Sequence, residues 1–254
     1  MAVSLRVERL SFPLGTFLLH IDALKFEAGR LTTIVGPNGA GKTTLLKCLG
    51  GLFPVPKGHI FIQDRDIASL KASERARLIS YVPQEHNPTF NYSVLDFVLM
   101  GRVAYLSLFS LPSEEDVRLA EEALDFVGLR GYALRPYFEL SSGERRLILI
   151  ARSLAQSADI LLLDEPTSFL DPKHETEVLD MARKLAAERG HTVLLTLHNL
   201  DMAVKYSDSL VFMKGGGVFA AGKPQDVLSD ALLESVYDVK MRIVDYEGRK
   251  LILR

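Results

Sequence analysis

The chain has 254 residues, 48% hydrophobic and 24% charged, with a formal net charge of −2. That is enough apolar material for one large domain, or for a core with an inserted subdomain, and the charge balance argues against a strongly basic nucleic-acid binder. Its one cysteine excludes an internal disulfide and a cysteine metal cluster, and fits a reducing compartment.

The opening "MAVSLRVERL" is broken by charges rather than followed by an apolar run, so no export signal is expected. "VSLRVERLSF" and "LLHIDALKFEAG" alternate apolar with polar residues, as half-exposed strands do, with Gly29 as a turn; together they predict a small antiparallel sheet. "RLTTIVG" is a short β-branched run of the kind buried in a parallel sheet. It empties into "GPNGAGKTTLLKCLGGL", where Leu45, Leu46, Leu49 and Leu52 fall at helical spacing. A Pro/Gly turn and a strand follow in "PVPKGHIFIQD", and another strand in "LISYVPQE" stops at Pro83.

From Ser93 to about Gln156 the periodicity is helical, which predicts an inserted helical subdomain. Within it "SEEDVRLAEEALDFVGL" has a good N-cap, an acidic first turn and a stop near Gly128. "ELSSGERRL" places Ser141 and Glu144 at capping-box spacing ahead of the apolar run "LILIARSLA". "DILLLDEP" and "HTVLLTLH" are buried-strand runs flanking the helix "HETEVLDMARKLAAERG". "DSLVFMKGGGVFAAG" and "MRIVDYEGRKLILR" predict hairpins, the second about Glu247 and Gly248. The richest apolar run is interrupted by Arg152, Gln156 and Asp159, so no membrane span is expected.

The chemistry starts at "GPNGAGKT", which fits the phosphate-binding pattern G-x-x-x-x-G-K-[ST] between a strand and a helix. Gly36, Gly39 and Gly41 let the backbone approach an anion, Lys42 neutralises β- and γ-phosphates, and the Thr43 hydroxyl can hold Mg2+. Pro37, Asn38, Ala40 and Thr44 complete the stretch expected to contact nucleotide. "ILLLDEP" delivers two carboxylates at the end of a strand: Asp164 is expected near Mg2+, and Glu165 is the candidate base that orients or deprotonates the attacking water. Gln84 and His198 each end a predicted strand. The start of the helix after "ELSS" is a second candidate anion site, since unpaired first-turn N–H groups and a positive helix end favour a phosphate.

The order P-loop, Gln84, "LSSGE", "ILLLDEP", "SFLD", His198 resembles that of the ATP-binding cassette (ABC) ATPases over nearly the whole chain. The resemblance implies an α/β P-loop fold with a RecA-like parallel-sheet core, an antiparallel β subdomain and an inserted helical subdomain. All 254 residues would form one nucleotide-binding domain, residues 1–84 and 157–254 as core and residues 85–156 as the helical part. It implies ATP and Mg2+ as cofactors, with Thr43, Gln84 and Asp164 toward the metal, Gln84 also sensing the γ-phosphate, His198 contacting it, and Asp171 communicating across a dimer. Ser141, Ser142, Gly143 and Glu144 resemble the family's LSGGQ segment, which covers the ATP held by a second copy in a head-to-tail dimer sharing two ATP sites.

"ALDFVGL", "LIARSLAQ", "LHNLDMAVKYSD" and "GKPQDVL" are similar to the ATPase subunits of iron-siderophore, haem and cobalamin importers. Molybdate and zinc importers, and a soluble cassette ATPase of iron-sulfur assembly, remain alternatives. The likeness implies a cytoplasmic chain on the inner face of the membrane, bound to integral membrane permease subunits and served indirectly by an extracytoplasmic solute-binding protein, with no nucleic acid. "EHNPTFNYSVLDFVLMGR" would grip the permease. This chain departs from the family at Ser142 (usually glycine), Glu144 (usually glutamine), Leu147 (usually arginine) and Asn199 (often aspartate). Leu14 falls where an adenine-stacking aromatic is usual, with Phe12 and Phe17 nearby.

Overall fold

The computed structural model describes residues 3–84, 90–107, 110–246 and 249–253. In chain order the elements are β1 (Val3–Leu14), β2 (Phe17–Glu27), β3 (Leu31–Val35), α1 (Lys42–Leu49), β4 (Ile60–Ile62), β5 (Arg65–Asp66), α2 (Ala72–Ala76), β6 (Ile79–Val82) and α3 (Val94–Leu99). They continue with α4 (Glu114–Phe126), α5 (Ser142–Ala155), β7 (Ile160–Leu163), α6 (Pro172–Arg189), β8 (Thr192–Thr196), α7 (Leu200–Tyr206), β9 (Ser209–Lys214), β10 (Gly217–Gly222), α8 (Pro224–Val227), α9 (Asp230–Tyr237), β11 (Arg242–Tyr246) and β12 (Arg249–Leu253). The chain is an α/β fold that divides into two compact units, Met1–Leu70 with Ala182–Arg254, and Lys71–Met181. Among the described residues no helix is long and apolar enough to cross a membrane.

In the first unit β1 pairs antiparallel with β2 and with β4, and β4 with β5, so the alternation read from the sequence becomes a sheet with one buried face. Leu5, Val7 and Leu10 of β1 and Leu19, Ile21, Leu24 and Phe26 of β2 fill that face. β3 is buried at all five positions and pairs parallel with β8 on one side and β9 on the other, which accounts for a continuous apolar run rather than an alternating one. β10 turns back on β9 through Gly215 and Gly216, both at positive φ. α1 buries Leu45, Leu46 and Leu49, but it ends there. Gly50 and the positive-φ Gly51 turn the chain, so Leu52, expected on the helix, lies past it and is 54% exposed. β11 and β12 form the terminal hairpin, and its expected turn at Glu247 and Gly248 lies outside the described residues.

In the second unit β6 and β7 run parallel, pairing Ile79 with Ile160 through Val82 with Leu163. α3, α4 and α5 pack around Phe97, Leu124, Tyr137, Ile148 and Ile150. Ser113 caps α4 in a full capping box with Asp116, and Gly128 at positive φ follows its end. Arg102 is buried against the last turn of α5: it donates to Asp116, to the Ala155 carbonyl and to the Ser157 hydroxyl at 2.8, 2.8 and 3.0 Å. Its guanidinium and the Ser113 hydrogen bonds hold the Asp116 carboxyl down to about 2. A side chain on Gly101 would put its Cβ 2.2 Å from the Arg152 carbonyl oxygen, so only glycine lets the two segments meet. The expected permease segment starts with residues 85–89, which lie outside the described residues; beyond them Val94, Phe97 and Val98 face the core.

Candidate functional site

The first unit carries the phosphate loop. β3 ends at Val35 and the chain turns through Gly36, whose φ is 153° and whose Cβ, if it had one, would lie 2.2 Å from the Met213 carbonyl oxygen on β9. Gly39 and Gly41 are at φ 77° and 98°, conformations that side chains resist. At Gly41 an added Cβ would also meet the Phe17 ring at 2.7 Å. The loop therefore depends on glycine both for backbone conformation and for space. α1 begins on Gly41, which offers no side-chain acceptor to the first-turn N–H groups, and Thr43 and Thr44 lie in that turn.

Lys42 is buried to 6% exposure, and its ammonium donates to the carbonyls of Gly36 and Pro37 at 2.8 and 3.0 Å. The lysine thus arches back over Asn38, Gly39 and Ala40 with its charge held inside the loop. A loop of this kind, a buried ammonium beside an uncapped helix start, fits a polyphosphate. His198 follows β8, whose Thr196 pairs with Ile34 of β3, so it emerges at the same carboxyl end of the parallel strands as the loop, and it is exposed. Asn199 caps α7 by accepting from the Met202 N–H at 3.2 Å, which explains why asparagine serves at this position.

Of the aromatic residues near the loop, Phe12 is buried and stacked on Phe53 with ring centroids 5.3 Å apart, so it is committed to the core. Leu14 is 44% exposed. Phe17, its cross-strand partner, is half-buried against Gly41.

The second unit brings Gln84, Asp164 and Glu165 together at the carboxyl ends of β6 and β7. The Asp164 N–H donates to the Val82 carbonyl, which extends the ladder by one bond beyond the paired residues. Asp164 is 1% exposed, and its carboxylate accepts from the Tyr81 hydroxyl at 2.9 Å. Burial, with the Asp164 charge beside it, pushes the Tyr81 hydroxyl well above its ordinary range, so it stays a donor. Glu165 sits at φ 45°, an uncommon conformation for a residue with a side chain. Its Oε2 accepts from the Gln84 amide at 2.5 Å and from the Ser168 hydroxyl at 2.9 Å. Two donors thus fix one carboxylate oxygen in a strained turn, as at sites where geometry is functional.

Asp171 caps α6 ahead of Pro172, accepting from the His174 N–H at 3.0 Å and meeting His174 Nδ1 at 2.8 Å. The backbone and side-chain bonds to His174 hold the Asp171 carboxyl below its ordinary value. The His174 ring lies over Gly143, where an added Cβ would be 2.7–3.0 Å from three ring atoms. The helix start at "LSSGE" is a full capping box: the Ser141 N–H donates to Glu144 Oε2 at 2.7 Å, and the Glu144 N–H to the Ser141 hydroxyl at 3.3 Å. The bond from the Ser141 N–H leads the causes that hold the Glu144 carboxyl below its ordinary value. Ser142 is exposed and Gly143 buried. Leu147 is 7% exposed within the apolar packing, while Arg146, one residue earlier, donates to the Pro83 and Gln84 carbonyls at 2.9 and 2.5 Å.

The sequence reading missed Tyr81, Arg146, Ser168 and His174. Only His174 carried a local signal, as the third residue after a capping aspartate.

A family model described as "ABC transporter" matches residues 19–168. A probable iron chelatin transport ATP-binding protein of Helicobacter pylori is 36% identical over 251 residues, 98% of both chains. Among solved structures, a metal-chelate type ABC transporter in an inward-facing conformation superposes with a TM-score of 0.86 at 31% identity, covering 99% of this chain and 96% of that one. An ATP-binding cassette in a dimeric post-hydrolysis state with ADP and Pi gives 0.74 at 25% identity, covering 87% and 98%.

Proposed function

Because the chain belongs to the ABC transporter family and is an ATPase of it, we propose that it powers the import of an iron chelate, haem, cobalamin or a similar metal-containing solute. The similarity to an iron chelatin transport protein and to a metal-chelate type transporter supports that class of solute. The chain works as a head-to-tail pair with a second copy, on integral membrane permease subunits at the inner face of the membrane, with a solute-binding protein upstream. Phe90 and Val103, 64% and 63% exposed, are apolar side chains of the kind that a permease element would cover.

The observation that carries the catalytic reading is the Glu165 carboxylate, fixed by Gln84 and Ser168 directly after the buried Asp164. In this reading backbone N–H groups of the loop and of the first turn of α1, with the Lys42 ammonium, bind the β- and γ-phosphates. The Thr43 hydroxyl, the Gln84 amide oxygen and the Asp164 carboxylate are hard oxygen donors of the kind that suits Mg2+, and they are the residues that would hold it. Mg2+, when bound, neutralises charge developing on the phosphates. Glu165 accepts a proton from the attacking water as it adds to the γ-phosphorus and the ADP oxygen leaves, giving ADP and phosphate. His198 contacts the γ-phosphate, Phe17 offers the adenine an aromatic face, and Ser141, Ser142 and Gly143 cover the nucleotide of the other copy. Asp171 carries the message between copies.

Glu165→Gln tests this reading. Turnover should fall about 100-fold or more, the scale of general-base catalysis, while gel filtration with ATP shows an accumulating dimer. Unchanged ATPase activity would overturn the assignment.

A further inference from the structure

β6 stops at Val82 because Pro83 has no N–H to continue the ladder. The carbonyls of Pro83 and Gln84 therefore leave the sheet and need donors from elsewhere. One planar group supplies both. The Arg146 guanidinium, 7% exposed in the second turn of α5, donates through Nη1 to Pro83 and through Nη2 to Gln84. Two N–H bonds from a rigid fork to successive carbonyls fix the orientation of both peptide planes, which a point charge could not do.

The next link is Gln84 itself. Its side-chain amide donates to Glu165 Oε2, so its backbone orientation governs where that amide reaches. A continuous series of contacts runs from the start of α5 through Arg146 to the Gln84 backbone, and from the Gln84 amide to the carboxylate. At the same helix start, the His174 ring packs on Gly143 and bonds Asp171. The capped start of α5 is thus braced against both the Gln84 loop and the segment after Glu165.

We infer that Arg146 is a positioning residue for ATP hydrolysis, holding the Gln84 backbone so that the Gln84 amide can orient Glu165. The inference rests on the proposed roles of Gln84 and Glu165. It also accounts for a leucine at 147: the arginine that engages the loop stands at 146, and the next position is free to fill the core.

The test is a double-mutant cycle on the full chain, reading ATPase kcat and KM with nucleotide binding and thermal midpoint as controls. Arg146→Met should lower kcat about 10-fold or more, as small displacements of catalytic groups do, with KM and nucleotide Kd held within about twofold. Gln84→Ala should lower kcat comparably, and the double variant should be no slower than Gln84→Ala alone. Arg146→Lys, which keeps the charge without the fork, should fall between wild type and Arg146→Met, and it enters the same cycle in its place if the methionine variant does not fold. Losses that multiply in the double variant, or a wild-type kcat in the folded Arg146 variant, would overturn the inference while leaving the proposed function standing. A wild-type kcat in Gln84→Ala would instead remove the role of Gln84 on which the inference depends, and Glu165→Gln judges the function separately.

Discussion

α1 begins on Gly41, which has no side chain to cap it, whereas α5 begins on Ser141 and closes a reciprocal pair of hydrogen bonds with Glu144. Both starts are read from the sequence as places for a phosphate, yet their electrostatics differ. At α1 the nearby charge is the Lys42 ammonium, buried and turned onto the loop carbonyls. At α5 the Glu144 carboxylate is already bonded to the Ser141 N–H, and the Arg145 and Arg146 guanidiniums after it are turned onto the Phe138, Pro83 and Gln84 carbonyls. A helix start can hold an anion alone only if its donors are uncommitted and the local charge is positive. α1 has the positive charge and no side-chain cap of its own. α5 has spent part of its donor set on its own cap, so it suits covering an anion that something else already holds.

The largest expected effects separate the two starts directly. Lys42→Ala should weaken ATP binding about 100-fold, the scale of one or two charge-assisted hydrogen bonds, and turnover should go with it. Ser142→Phe should abolish turnover while leaving binding to the isolated chain at the wild-type Kd. Calorimetric titration beside an ATPase assay distinguishes them, and equal loss of binding in both variants would erase the contrast.

A smaller effect concerns how α5 is held. Gly143→Ala forces a methyl group into the His174 ring, which should cost about 1–3 kcal/mol of stability in thermal or urea unfolding, the usual range for overpacking. Adding His174→Ala should return most of that loss. If the pair is no more stable than Gly143→Ala alone, the ring is not what confines Gly143.

The smallest effect sharpens the charge difference. The folded state holds the Glu144 carboxyl below its ordinary value, so its stabilising contribution is present above that value and is lost as pH falls through the depressed folded value. Glu144→Gln keeps an acceptor for the Ser141 N–H but does not titrate. Against wild type it should show about 1 kcal/mol less stability at neutral pH, with the difference shrinking in acid. Melting curves across that range supply the check.

What the sequence revealed about these two starts depends on distance along the chain. The phosphate loop, the capping box and the strand ending in Asp164 and Glu165 are contiguous, so spacing alone reports them. The contacts that tune them are not: Tyr81 reaches Asp164, Arg146 reaches Pro83, and His174 reaches Gly143 across 83, 63 and 31 positions respectively. Leu147 shows the same limit. Judged as a single position it removes an arginine from a helix that needs support, but the fold places the supporting guanidinium one residue earlier and gives the leucine to the core. The helix periodicity that included Leu52 failed for a local reason, because the paired glycines end α1 before reaching it.

The single cysteine of the chain lies in the last turn of α1, fully buried, with its thiol pushed up to about 12 by burial. A thiol in that state carries almost no thiolate at neutral pH and reacts poorly with alkylating reagents. The native chain is therefore a near-silent background for maleimide or spin labels, with no cysteine to remove first. A cysteine installed at an exposed position outside the nucleotide-contacting segments, such as Glu188, would carry the only reactive label in each copy, so label-to-label distances in a pair would report how closely the two copies approach as nucleotide is added and consumed.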